Sequence, residues 1–179
     1  AVYEAISKLY VPGKTFAVTS ALAFGARVAQ EKLGIPQVTV HYQPIVLRSV
    51  HAPPVLPVRF NLAWLPKWGR AAAYRLADVV IDRVIGRSLN VFRRELELPP
   101  VRRIFDRWAH SPGLTLCMFP EWFAAKQPDW PPQVKQTGFP LYDASDTAGT
   151  PPELAEFLSA GPPPVVFTFG SAMHSHGEI

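Results

Sequence analysis

A chain of 179 residues with 48% hydrophobic and 18% charged residues has enough apolar material for a packed domain and too little charge for a disordered tail. Its net charge of +4 comes from dispersed basic residues, with only the short pairs Arg93-Arg94 and Arg102-Arg103, so no nucleic-acid partner is expected; a solvated helix face, or a mild preference for anionic ligands or membrane surfaces, accounts for it. The single cysteine, Cys117, excludes an internal disulfide and suits a reducing, cytoplasmic setting, and no apolar run approaches the ~18 residues of a membrane span.

Residues 15–20 form a short β-rich run. Residues 21–33 then turn helical, with Leu22, Ala26, Ala29 and Leu33 at helical spacing and Arg27, Gln30, Glu31 and Lys32 between them. Gly34 stops that helix, and Pro36 follows it. Residues 37–41 read as a second strand, which completes a βαβ unit with parallel strands. Residues 42–68 hold prolines at 44, 53, 54, 57 and 66 with Phe60, Trp64 and Trp68 interleaved. An aromatic loop of that length is more often pocket-forming than idle.

Residues 69–97 are the longest helical pattern, with an apolar stripe at Tyr74, Ala77, Ile81, Val84, Ile85, Val91 and Leu96 and the charged Arg75, Asp82, Arg83, Arg87 and Arg94 largely outside it. Gly86 and Asn90 are the points where it would break in two. A further helix is expected over 101–109, with Ile104, Phe105 and Trp108 on one side. The apolar run 114–119 reads as a central parallel strand. A Trp/Pro loop over 120–133 leads to a short strand at 134–138, and 143–150 reads as a linker. Thr150, Pro151 and Glu153 then compose a capping box for a helix that ends near Ser159. Three prolines space it from a last strand beginning at Val165, which runs into the turn Gly170-Ser171.

In open α/β sheets, ligands bind beyond the carboxyl ends of the strands. Four segments answer that description: residues 20–24, 41–44, 119–122 and 170–171. His41 reads either as a general base or substrate ligand, or as a histidine satisfied by backbone, and the second reading is favoured. His110 is expected as a cation at a helix C-terminus. His174 and His176 lie two apart without further ligands, so no metal is expected. Glu121, among Pro120, Trp122 and Phe123, is either an acid with a raised pKa or a surface residue, and the surface is favoured. Ser171 lacks a nucleophile elbow and is expected to hydrogen-bond. The five tryptophans are expected mainly in the core.

Several strings in order resemble the nucleotide-sugar-dependent glycosyltransferases with two facing Rossmann-like domains (the GT-B type, family 1), and more narrowly the bacterial sterol and macrolide glucosyltransferase-like members. They are Ala23-Phe24-Gly25-Ala26-Arg27 through Glu31-Lys32-Leu33-Gly34-Ile35-Pro36, His41-Tyr42-Gln43-Pro44, Pro53-Pro54-Val55-Leu56-Pro57, Phe119-Pro120-Glu121-Trp122-Phe123, Gln127-Pro128-Asp129-Trp130-Pro131, Gly138-Phe139-Pro140 and Phe167-Thr168-Phe169-Gly170-Ser171-Ala172.

The resemblance implies an α/β fold with a Rossmann-like parallel sheet. Residues 1–142 would be the later part of an acceptor-binding amino-terminal domain, 143–164 a linker with a helix, and 165–179 the first strand of a donor-binding domain. The sequence is therefore expected to be an interior slice of a longer protein. The resemblance assigns Gly170 and Ser171 to the donor diphosphate and Gln43, Phe60 and Trp64 to the acceptor.

No catalytic residue is assigned. The family's histidine falls in a segment outside this sequence, and its orienting aspartate aligns with Ser20. No cofactor is implied; a nucleotide-diphosphate sugar, of UDP-sugar type, is the co-substrate. The partners implied are that sugar and a small apolar acceptor such as a sterol, lipid, polyketide or flavonoid, in the cytoplasm and with contact at the periphery of a membrane. The alternative is a non-catalytic binding module of the same fold.

Overall fold

The computed structural model describes residues 2–54, 61–141 and 149–167. The chain divides into two compact units, Ala1–Pro140 and Leu141–Ile179.

In the first unit an amphipathic helix α1 (Val2–Leu9) precedes strand β1 (Ala17–Ser20), helix α2 (Phe24–Leu33) and strand β2 (Gln37–His41). Gly34 caps α2 in the left-handed conformation at φ 70°, its N–H returning to the Gln30 carbonyl, as a glycine there allows. The helix begins later than its periodicity suggests, so Leu22 stays 68% exposed while Ala26, Val28 and Ala29 are buried. Gly25 lets α1 lie close, because a Cβ there would stand 2.7 Å from the Tyr3 backbone nitrogen.

Two short 3₁₀ turns, Pro44–Val46 and Leu62–Trp64, interrupt the following loop. Arg70 fastens it, donating to the carbonyls of Val50 (2.8 Å), Leu62 (3.2 Å) and Ala63 (2.8 Å). Helices α3 (Lys67–Val84) and α4 (Gly86–Glu95) then meet at a break beside Gly86. Asn90 breaks nothing: its side-chain amide pairs with both backbone groups of Val101.

The expected apolar stripe turns inward only in part: Tyr74, Ala77, Ile81, Ile85 and Leu96 are half-buried, and Val84 and Val91 are not. Val84 is 72% and Val91 47% exposed, whereas Asp78 is buried at 5%. The reason is a charge: α3 turns Asp78 inward to meet Arg48, which leaves Leu76, Val79, Val80 and Val84 on the outer arc.

A π-helical turn spans Ile104–Trp108 and enters through Arg103, a non-glycine residue at φ 52°. Asp82 of α3 holds that strained entry by accepting from the backbone N–H groups of Arg103 (2.7 Å) and Ile104 (3.1 Å). Strands β3 (Leu114–Cys117) and β4 (Val134–Gln136) complete a four-stranded, all-parallel sheet in the order β1-β2-β3-β4. β1 is an edge strand, with Phe16 70% and Val18 56% exposed beside it.

Two buried clusters make the core. Leu47, Cys117, Phe119, Trp130 and Val134 form one; Val28, Leu89, Ile104 and Trp108 form the other. Each large side chain so buried contributes about 1.5–3 kcal/mol. The tryptophans do not all join them: Trp64, Trp68 and Trp122 are 73%, 77% and 80% exposed.

In the second unit the regular element among the described residues is helix α5 (Pro152–Ser159). Its N-cap is Pro151, with no side-chain cap, so the Thr150 capping box does not form. The helix starts one residue later than that box requires. Residues 165–167 carry no strand and are exposed, since a strand needs a hydrogen-bonded neighbour. Residues 143–148 of the expected linker lie outside the described residues.

Candidate functional site

The first unit holds a cavity of about 600 Å³. Its walls are the segment after β2, one side of α3, the π-helical turn, and the loop over residues 129–133. Asp129 joins two of these walls. One of its oxygens accepts from the Ser49 hydroxyl at 2.7 Å and the other from the Val50 N–H at 2.7 Å. Tyr74 of α3 donates to the Ser49 carbonyl at 3.2 Å. On the floor Asp78 pairs with Arg48, and its other oxygen lies 4.0 Å from Arg103 Nε. Arg103 in turn pairs with Asp106, and Arg107 Nε stands 3.8 Å from that carboxylate. The wall is thus a belt of arginines tied to carboxylates, with Leu47, Trp130, Pro131 and Pro132 as its apolar part.

His110 lines the cavity and reaches into the core, where its Nδ1 lies 3.0 Å from His41 Nε2. The rings meet edge to face, and the two residues are 5% and 3% exposed. Burial, reinforced by the neighbouring His110, lowers the His41 pKa to about 4. Burial also lowers that of His110, against smaller opposing contributions from a Phe105 backbone hydrogen bond and Asp106. Near neutral pH both rings are therefore uncharged, one donating and the other accepting.

This overturns two expectations. His41 is satisfied by a histidine rather than by backbone and is too enclosed to take a proton from a substrate. His110 does follow the end of the π-helical turn, just past its cap Ala109, but burial holds its pKa below the ordinary value, so it is not the cation expected there.

A second opening, about 480 Å³, lies at the carboxyl ends of β3 and β4 and includes Pro120, Glu121, Lys126, Gln136 and Gly138. Glu121 is exposed there, in keeping with its surface reading. Cys117 is fully buried, and burial pushes its thiol up to about 12, so it is no nucleophile.

Gln43 precedes the first 3₁₀ turn and is exposed; Trp64 ends the second and is exposed; neither lines the larger cavity. Ser20 ends β1, exposed. Phe60, Gly170, Ser171, His174 and His176 lie outside the described residues. Sequence reasoning missed the arginine belt. Arg103 and Arg107 are one helical turn apart, which is a local signal; Arg48 and Arg75 join them only through folding.

Three curated relatives are similar to this chain. The chain is 32% identical over 166 residues to the vancomycin aglycone glucosyltransferase of Amycolatopsis orientalis, covering 84% of this chain and 35% of that protein. It is 34% identical over 158 residues to the glycosyltransferase GtfC of the same organism, covering 85% of this chain and 35% of the relative. To the sterol 3-beta-glucosyltransferase UGT80A2 of Arabidopsis thaliana it is 26% identical over 129 residues, covering 64% of this chain and 20% of the relative.

The chain is glycosyltransferase-like, of the GT-B type in family 1. It spans about a third or less of the length of the curated relatives it matches. No protein-family model matches it. The parallel Rossmann-like sheet of this glycosyltransferase-like chain is the fold that the resemblance implied. Among the described residues no helix is long and apolar enough to cross a membrane.

Proposed function

We propose that the protein transfers a sugar from a nucleotide-diphosphate sugar to a hydroxyl of an apolar acceptor, with inversion at the anomeric carbon. The supporting observation is the likeness over 84% of the chain to a relative named as a glucosyltransferase. A base outside the side chains assigned here takes the acceptor's hydroxyl proton. The oxygen attacks the anomeric carbon, the bond to the diphosphate breaks, and the nucleoside diphosphate leaves with the electron pair.

In this reading Gly170 and Ser171 contact the donor diphosphate, while Gln43, Phe60 and Trp64 border the acceptor. The protein works in the cytoplasm, where the outer arc of α3 suits contact with a membrane. A second reading, an acceptor-binding module without chemistry, draws on one observation: the two imidazoles near the cavity are buried against each other.

The product of the whole reading frame, given UDP-glucose and a panel of sterol, polyketide and flavonoid alcohols, should yield a product heavier by one hexosyl unit in mass spectrometry. Saturable acceptor binding without product would establish the second reading. Neither binding nor product would sink both.

A further inference from the structure

We propose that the cavity between α3 and the π-helical turn binds an amphiphilic monoanion, an oxyanionic head on an apolar body, through Arg75 and Arg107. Four arginines (48, 75, 103 and 107) face three aspartates (78, 106 and 129) around this opening, so one positive charge is left over. The surplus is localised. Asp129 is committed to Ser49 and Val50, Asp78 to Arg48, and Asp106 chiefly to Arg103. Arg75 has no hydrogen bond or ion pair among the described residues, and Arg107 keeps only its 3.8 Å approach to Asp106.

A buried donor lies in the same wall. Trp130 lines the cavity, is 7% exposed, and its Nε1 is buried without a partner. A buried N–H without an acceptor is unfavourable, so such a group marks a place where an acceptor is favoured. Two guanidinium groups without a closely held carboxylate call for oxygens carrying negative charge. Leu47, Tyr74, Pro131 and Pro132 offer an apolar surface for the remainder of the ligand. A cavity of about 600 Å³ holds a small organic molecule rather than a bare ion.

Calling this ligand the acceptor rests on the glycosyltransferase reading; the binding does not, and it is measured without any sugar donor. The protein is titrated with octanoate, octanol and inorganic phosphate while the Trp130 indole N–H resonance, assigned through Trp130→Phe, is followed by NMR. Octanoate should saturate and move that resonance, with octanol and phosphate each at least about tenfold weaker. Arg75→Gln and Arg107→Gln should each weaken octanoate about tenfold and leave octanol unchanged. Both arginines are exposed, so the variants keep the fold, and an unchanged Trp130 resonance before titration checks this. Octanol binding as tightly as octanoate overturns the charge requirement. Phosphate binding as tightly overturns the apolar body. Unaltered affinity in both variants, or octanoate binding that leaves the indole signal in place, overturns the site.

Discussion

Replacing Glu31 by glutamine tests whether a single carboxylate holds the second core cluster together. Two guanidinium groups stand over the Trp108 ring, Arg27 at 5.6 Å and Arg93 at 5.2 Å from its centre. Glu31 serves all three. One oxygen accepts from Arg27 Nη2 at 3.0 Å and from Trp108 Nε1 at 2.8 Å; the other pairs with Arg93 Nη2 at 2.6 Å. The Arg93 side chain is 1% exposed, and its Nη1 has no partner. Burial lowers the Arg27 pKa, Glu31 raises it and Arg93 lowers it further, so the carboxylate is what makes two adjacent buried cations tolerable.

Glutamine keeps the size and can still accept from Trp108, but the charge is gone. Breaking a buried ion pair from one side costs about 3–5 kcal/mol, and the 24% exposure of Glu31 argues for the lower end, about 3 kcal/mol. With a urea slope near 2 kcal/mol/M, the unfolding midpoint should fall by about 1.5 M. Adding Arg93→Met to Glu31→Gln should recover most of the loss, because the unpaired cation is then removed as well. A midpoint drop below roughly 0.5 M for the single variant would refute the reasoning.

Three further outcomes follow from the geometry. His41 has a folded pKa of about 4 against 6.5 for the free side chain, so its stabilising neutral form is fully present above pH 6.5 and stability declines as pH falls towards 4; His110 acts in the same direction. The urea midpoint should already drop between pH 6.5 and 5, before most carboxylates titrate, and a flat or rising midpoint across that window would contradict the buried pair. Gly25→Ala would place a methyl group 2.7 Å from the Tyr3 nitrogen and 2.9 Å from Val2 Cβ, forcing α1 away and costing about 1–3 kcal/mol locally. Amide exchange should show protection lost over residues 2–9 while the strands keep theirs; retained protection in α1 would count against the close approach. The outer arc of α3, with Trp68, Leu76, Val79, Val80 and Val84 exposed, should carry the protein down with phosphatidylserine vesicles at low salt, and Leu76→Asp with Val80→Asp should abolish this. Equal sedimentation of the variant would exclude α3 as the contact.

The sequence by itself determined the regular frame. Short β-rich and apolar runs and one period-3.6 pattern, with Gly34 as a stop, located β1, α2, β2, β3 and β4, and a helix between two strands dictated parallel pairing. The family likeness was equally legible, since it rests on strings in order. Patterns of apolarity fell short where a charge was drawn inside an element's apolar face. On α3 the charged Asp78 is buried, because a partner 30 positions away, Arg48, compensates its desolvation. Only the tertiary structure decided the functional surfaces. His41 meets His110 across 69 positions, and Arg27 reaches the Trp108 carbonyl across 81. The arginine-lined cavity likewise has walls drawn from separate stretches of chain. Local periodicity reports which residues share a face of one element. Which charges become neighbours depends on how elements cross, and a buried charge is acceptable only where that crossing supplies its partner.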